Sequence, residues 1–149
     1  MKRLPKFLLL LVVTALATAA AADAAYAGFL KGNRFWRGAE PHETTPSFAP
    51  QEHEVKWNED RTKVMPTRGV SVFNSPDSVV KGGRVPHEIH LKTVRADTLK
   101  IEPRGGPGHF EIMPREPMSW KDYEAALSQI GVKPLAKKYV PMSRRPSRP

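Results

Sequence analysis

The sequence predicts an α+β domain in which short strands outnumber helices. Short apolar segments recur between clusters of glycine, proline and asparagine, a pattern typical of strands joined by turns. One brief segment opens with Ser75-Pro76-Asp77, which favours a helix start. A longer amphipathic segment between Ser119 and Gly131 is bounded by helix-start and helix-stop residues. We therefore expect five short strands, the last three of them in one sheet, together with one small helix and one clear C-terminal helix.

The first strand is expected over 33–38, where an aromatic pair, Phe35 and Trp36, is followed by Arg37 and Gly38. The next stretch, 39–65, is polar, contains several prolines and has neither a helical nor a strand period. It is predicted to be a long loop, and such loops are uncommon in compact domains unless they are functional. Two interpretations stay open: a cover over a site, pinned to the core by Trp57, or an insertion.

The second strand is expected over 68–73, with Val70 and Val72 on one face and Ser71 and Phe73 on the other. Ser75 is the predicted N-cap of a helix of about two turns, which ends at Gly82-Gly83. Three further strands follow, separated by turn sequences. They are expected over 85–91, 98–102 and 109–113.

The C-terminal helix is predicted with Ser119 as N-cap, Asp122 in its first turn and Gly131 at its end. Its apolar residues recur at helical spacing and are expected to face the core rather than a cofactor. They are Trp120, Tyr123, Leu127 and Ile130.

The composition excludes several classes of function. The chain has 149 residues, a formal net charge of +9 from 24 Lys and Arg against 15 Asp and Glu, and no cysteine. Disulfide scaffolds, thiolate zinc sites, iron–sulfur clusters and cysteine nucleophiles all need cysteine. Excess positive charge favours nucleic acid or an anionic membrane only when it lies on a folded face. Every charged residue after Glu124 is basic, so the surplus lies largely outside the core and no specific nucleic-acid partner is expected.

The N-terminal residues have the pattern of a secretory signal peptide. A short basic stretch precedes an apolar run over 7–22, and small residues follow. Cleavage is expected after Ala27, with Ala24 as the alternative. The run is rich in alanine in its second half, which is too weakly apolar for a spanning helix, so secretion or periplasmic export without a remaining membrane span is predicted. The predicted organisation is a signal peptide over 1–27, a domain over 28–132 and a basic disordered tail over 133–149.

Metal binding is not predicted. His87 and His90 are three residues apart on an expected strand, so they face opposite sides and lack the four-residue helical spacing of a zincin. Glu88 and His90 share a face, but two ligands are too few for a closed site. The glycines of 105–108 lack a following Lys-Ser or Lys-Thr pair, so they form a turn and not a phosphate loop.

Four residues remain as candidates for chemistry: Arg37, Ser71, His109 and Glu111. His109 and Glu111 fall on the same face of a strand, and such a pair can polarise a hydroxyl or stabilise a cationic sugar. The planar guanidinium of Arg37 can hold a phosphate. Ser71 lies outside a G-x-S-x-G elbow, and nothing in the sequence places a histidine beside it. The structural alternatives are a salt-bridged Arg37, a hydrogen-bonded Ser71 hydroxyl and a solvated Glu111 at a sheet edge.

The segments that carry these residues contain several short motifs. The order of these motifs along the chain, from about residue 33 to 127, matches that of one protein family. The motifs are Phe35-Trp36-Arg37-Gly38, the Ser-Val-Phe segment within 68–74, residues 98–101, the His-Phe-Glu-Ile-Met-Pro segment within 108–114, and Pro117-Met118. Together they resemble the ADP-ribosyltransferase-like toxins typified by type six exported effector two. The resemblance implies an ADP-ribosyltransferase-like split β-sheet, with two small packed sheets and a cleft where NAD lies as a substrate.

The resemblance also implies roles for the candidate residues. Arg37 would contact the phosphate or ribose of NAD, Ser71 would lie on the strand beside the nicotinamide, and His109 would face the same cleft. Glu111 departs from the family pattern, and its role as the catalytic carboxylate rests on analogy with other ADP-ribosyltransferases. The signal peptide is a second departure, since type VI effectors are injected without one.

The leading hypothesis is thus a secreted toxin-like enzyme that transfers ADP-ribose from NAD or hydrolyses NAD. Its target is unknown and expected to be a protein, and a cognate immunity protein is an expected partner. Two alternatives remain. One is an exported, non-enzymatic relative with the same fold that binds a protein partner. The other is a binder of anionic polymers that acts through the basic tail.

Overall fold

The computed structural model describes residues 21–139, and the chain divides into two compact units over 1–33 and 34–149. In the first unit, residues 21–32 are helical (α1), and the Asn33 side-chain amide donates to the Phe29 carbonyl at 2.7 Å. The predicted signal peptide lies mostly outside the described residues, and its cleavage stays a prediction. Within 21–139 the structure contains no helix of the length and hydrophobicity that a membrane span needs.

The second unit contains one antiparallel sheet flanked by two helices, which confirms the predicted α+β class. The strands lie side by side in the order β3-β1-β2-β5-β4. The two packed sheets implied by the family resemblance are not separate here, because all five strands belong to one sheet. The elements are β1 (Trp36–Ala39), β2 (Val70–Phe73), α2 (Pro76–Lys81), β3 (Val85–Glu88), β4 (Leu99–Pro103), β5 (His109–Pro114) and α3 (Trp120–Ser128).

The strands of this sheet are joined unevenly. β1 pairs with β3 along its whole length, from Trp36 opposite Glu88 to Ala39 opposite Val85. β5 is likewise paired along its length, with β2 on one side and β4 on the other. Between β1 and β2, however, the register contains a single pair, Trp36 opposite Phe73. The sheet therefore opens into a gap between β1 and β2.

The caps of both helices are the ones predicted. The Ser75 hydroxyl accepts from the Asp77 amide at 3.2 Å, and Pro76 occupies the first turn of α2, where its missing amide hydrogen costs nothing. The Ser119 hydroxyl accepts from the Asp122 amide at 3.1 Å at the start of α3. Each serine thereby satisfies one of the unpaired amides of a helix start.

The C-terminal end of α3 differs from the prediction. The helix ends at Ser128, ahead of Gly131, which was expected to terminate it. The Gly131 amide instead donates to the Thr93 hydroxyl at 2.8 Å. A contact with the turn after β3 thus holds this residue, and local helix-stop chemistry does not determine its position.

Tyr123 fixes α3 to the sheet. Its side chain is fully buried, and its hydroxyl donates to the Ile112 carbonyl at 2.6 Å while accepting from the Val70 amide at 3.3 Å. Burial raises the pKa of the hydroxyl, so it remains a protonated donor at ordinary pH. Leu127 and Ile130 are also buried, so three of the four residues of the predicted apolar stripe are confirmed as core, whereas Trp120 is half-buried.

Glu88 at the end of β3 gathers two cations. Its carboxylate accepts hydrogen bonds from Arg34 and Lys133, and the Lys133 amide donates to the Glu88 carbonyl at 2.8 Å. The packed chain therefore reaches Lys133, the first residue of the predicted tail 133–149. Residues 137–139 form a 3-10 turn, and residues 140–149 lie outside the described residues.

The ion pairs of Glu88 predict how the free energy of unfolding changes at acidic pH. The hydrogen bond from Arg34, above all, holds the pKa of Glu88 below its ordinary value. A lowered folded-state pKa means that this stabilisation is present above the unfolded pKa of about 4.3 and is lost as the pH falls through the folded pKa. We expect Glu88→Gln to flatten the decline in the free energy of unfolding between pH 6 and pH 3, measured by urea unfolding. Parallel pH curves for the variant and the wild type would contradict this expectation.

Candidate functional site

The gap between β1 and β2 is filled by the side chain of Arg37. Its Nη1 donates to the Ser71 carbonyl at 2.7 Å, and its Nε donates to the Ser47 carbonyl at 3.1 Å. Because the two strands pair only at Trp36 and Phe73, the Arg37 guanidinium replaces the backbone amide donor that β1 would otherwise supply. The position of Arg37 thus follows from the divergence of the strands.

Arg37 also has an acidic partner within the chain. Glu54 Oε1 lies 3.5 Å from Nη1, and only 12% of the arginine side chain and 15% of the glutamate side chain are exposed. Burial is the main cause that lowers the pKa of Arg37, and the neighbouring carboxylate opposes it. A guanidinium titrates so far above neutrality that it stays a cation regardless. The site therefore holds a largely desolvated ion pair.

A cleft of about 280 Å³ lies beside this ion pair. It is bounded by both strands at the gap, by α2 and by the loop that carries Glu54. Gly38 permits the close approach of one wall, since a Cβ at this position would lie 2.8 Å from the Arg84 side chain. The lining residues are Arg37, Gly38, Glu54, Ser71, Phe73, Ser78, Val79, Gly82 and Arg84.

Ser71 and His109 meet next to the cleft. The Ser71 hydroxyl lies 3.1 Å from His109 Nε2, and the ring of Phe73 stacks on the imidazole with centroids 5.4 Å apart. The register of β2 and β5 produces this contact, because it sets Phe73 opposite His109 and Ser71 opposite Glu111. No sequence pattern places the two side chains together, and the structure brings them within hydrogen-bonding distance. A histidine so placed can take a proton from a hydroxyl.

Glu111 lies on the same face as His109, as the strand period predicts, but its carboxylate has other partners. It accepts from the Gly69 amide at 3.1 Å and lies 3.7 Å from Arg104 Nε, with the residue 6% exposed. Among the described residues it is not part of the cleft lining. Arg37 and Ser71 line the cleft at the gap, whereas His109 contacts the Ser71 hydroxyl from outside the cleft lining, and Glu111 lies directly across from Ser71, against Gly69.

The predicted long loop is a covering segment (residues 40–66) that supplies two groups to the site. It contains a 3-10 turn, Glu52–Glu54, and contributes Glu54 and the Ser47 carbonyl to Arg37. Trp57 stacks on Trp120 with ring centroids 5.3 Å apart, which confirms the expectation that it pins this segment to the core. The polar, non-periodic sequence of the loop is compatible with a cover over a site. No sequence motif identifies Glu54 as a residue of that site.

Within residues 21–139 the histidines and acidic side chains form no group of three or more that could hold a metal ion. Comparisons with other proteins add no assignment, since no protein-family model, curated protein or solved structure matches the chain. The chemistry of the site is therefore interpreted from Arg37, the Ser71–His109 pair and the two carboxylates near them.

Proposed function

We propose that the domain is an enzyme of the ADP-ribosyltransferase class, with NAD as its substrate. The observation that supports this most is the position of Arg37 in the gap between β1 and β2, beside a cleft and next to a strand whose Ser71 hydroxyl lies 3.1 Å from His109 Nε2. A cation at an opening in a sheet suits the diphosphate of a dinucleotide, because a guanidinium binds phosphate oxygens through two parallel hydrogen bonds.

The dimensions of the cleft suit part of NAD. Its volume of about 280 Å³ is near the lower end of the range for small-molecule sites, roughly 300–1,000 Å³. The nicotinamide riboside half would occupy the cleft, with the diphosphate at Arg37 and the adenosine half outside. Phe73, a cleft-lining aromatic, offers an apolar surface to the nicotinamide ring.

The reaction would break the bond between the ribose C1′ and the nicotinamide nitrogen. The electron pair of that bond leaves with nicotinamide, and positive charge develops on the ribose. An acceptor nucleophile or water then bonds to C1′ and gives up its proton, which His109 can take through Ser71. Glu111 lies across from Ser71 and outside the cleft lining, so it would stabilise the developing cation from behind Ser71, through a buried medium of low dielectric.

Glu111→Gln tests this assignment. The amide retains an acceptor for the Gly69 amide, so the fold should persist, while the negative charge is removed. NAD turnover should fall about 10²-fold or more, the usual effect of removing one electrostatic group from a catalytic site. NAD consumption and released nicotinamide are measured together. Glu102→Gln is the matched control, because Glu102 lies opposite Glu111 in the register of β4 and β5 and its side chain is 48% exposed.

Unchanged turnover in Glu111→Gln, with wild-type thermal stability, would remove Glu111 from the mechanism. Loss of turnover in Glu102→Gln as well would point to a general effect of charge at this sheet edge. Only a loss confined to Glu111→Gln supports a catalytic carboxylate at this position.

The biological setting is part of the same proposal. The basic and apolar N-terminal pattern supports a secreted or periplasmic protein, and the family resemblance supports a toxin-like role with a protein target. An immunity protein that covers the cleft is the expected cognate partner.

A further inference from the structure

The contacts of Arg37 set a condition on any ligand that it binds. Its Nε and Nη1 are engaged by the Ser47 carbonyl, the Ser71 carbonyl and the Glu54 carboxylate. An incoming anion would meet the carboxylate of Glu54 within ion-pair distance of the same guanidinium. Two anions that share one cation repel each other, and more strongly where water is excluded.

We infer that Glu54 is an internal competitor for a phosphate-class anion at Arg37, and that its carboxylate must move away from the guanidinium before such an anion binds. This inference rests on the proposed function for its ligand class, a diphosphate. Glu54 occupies the place that a phosphate oxygen would take and so sets the affinity of the site. Arg84 lines the same cleft, and its own carboxylate partner, Glu40 at 3.2 Å, is exposed.

The local structure suits a competitor that can be displaced. Glu54 is oriented by its own turn, because its Oε2 accepts from the Gln51 amide at 3.0 Å. Farther along the segment, the Trp57–Trp120 stack and the Val64 amide, which donates to the Met118 carbonyl at 2.8 Å, hold the chain to the domain. The part from Ser47 to Glu54 contacts β1 through Arg37, and the buried side chains of Phe48 and Val55 hold it to the core. Rotation of the Glu54 side chain away from Arg37 would free a guanidinium nitrogen while the segment stays anchored.

Glu54→Gln in the full chain tests the inference, with inorganic pyrophosphate and isothermal titration calorimetry. The substitution removes the charge but keeps an oxygen that can accept from the Gln51 amide. We expect pyrophosphate to bind about tenfold more tightly than to the wild type, a typical size for coupling between two events at one site. Glu52→Gln is the matched control, since Glu52 belongs to the same turn, is exposed and pairs with Arg61. Its affinity should equal that of the wild type.

A second readout protects the test against a folding defect in Glu54→Gln. A ligand that binds only the folded state raises Tm, so pyrophosphate should raise the Tm of Glu54→Gln more than that of the wild type. Glu54→Asp, which keeps the charge but draws it back from Arg37, should shift pyrophosphate affinity in the same direction by a smaller factor. Equal or weaker pyrophosphate binding by both variants, with both folded, would overturn the inference.

The outcome is separable from that of the proposed function. If the wild type consumes NAD but neither substitution of Glu54 strengthens pyrophosphate binding, the competitor role fails and the enzyme proposal stands. If pyrophosphate binds more tightly to Glu54→Gln but no protein consumes NAD, the anion site stands and the enzyme proposal fails.

Discussion

Arg37→Ala is expected to abolish detectable NAD binding by the domain. Truncation of a buried, hydrogen-bonded charge at a binding site costs about 2–5 kcal/mol, which corresponds to roughly 30-fold or more in Kd. The loss of binding free energy should lie at the upper end of this range, because Arg37 is mostly buried and lies at the sheet gap beside the cleft. NAD binding is measured by calorimetry. Arg34→Ala is the control, since Arg34 is 67% exposed, lies close by in sequence and pairs with Glu88 instead.

The folded state must be followed in the same experiment. Removal of Arg37 leaves the Ser71 carbonyl and the Glu54 carboxylate without this donor, so Tm is measured for every variant. Arg37→Lys keeps the charge and loses the planar fork, and it should retain the fold while binding NAD more weakly than the wild type. NAD affinity that is unchanged in a folded Arg37→Ala protein would remove Arg37 from the binding site.

Gly69→Ala is expected to lower the free energy of unfolding strongly. A Cβ at Gly69 would lie 2.0 Å from the Ile112 carbonyl oxygen and 2.7 Å from the Tyr123 hydroxyl. Backbone of β5 cannot move aside without breaking its pairing with β2 and β4. Overpacking in a core costs about 1–3 kcal/mol and sometimes more, and a clash with backbone favours the higher values. The free energy of unfolding is measured by urea denaturation.

Gly106→Ala is the matched control for the Gly69 substitution. A Cβ at Gly106 would meet nothing within 4 Å, and its backbone lies outside the positive-φ region that favours glycine. The unfolding free energy should change by no more than about 1 kcal/mol, in either direction. A Gly69→Ala protein as stable as Gly106→Ala would contradict the close packing of β2, β5 and α3 at Tyr123. NAD turnover should also fall in Gly69→Ala, because the Gly69 amide positions Glu111.

Local signals in the sequence were enough to predict most of the elements. Ser75 and Ser119 cap their helices as expected, and the alternation of Val70 and Val72 with Ser71 and Phe73 predicted which face of β2 is buried. Such features depend on neighbours within a few residues, so they can be read without the fold. The prediction that α3 ends at Gly131 was wrong, because the Gly131 amide donates to Thr93, a partner distant in sequence.

The site was only partly predictable for the same reason. The strand period put His109 and Glu111 on one face, but the contact between His109 and Ser71 depends on the register of β2 against β5. Register is set by long-range packing, which local patterns do not encode. Glu54 was missed altogether, because it lies in a loop without periodicity and reaches Arg37 through the path of the covering segment.

NAD consumption by the purified full chain tests the central claim most directly. Nicotinamide release is followed by chromatography, first with wild type and Arg37→Ala, in water alone and with a mixture of candidate protein acceptors. The proposed function predicts nicotinamide release by the wild type and little or none by Arg37→Ala. Folded wild-type protein that neither binds NAD nor releases nicotinamide under any of these conditions would contradict it, and would favour a non-enzymatic, protein-binding role for the domain.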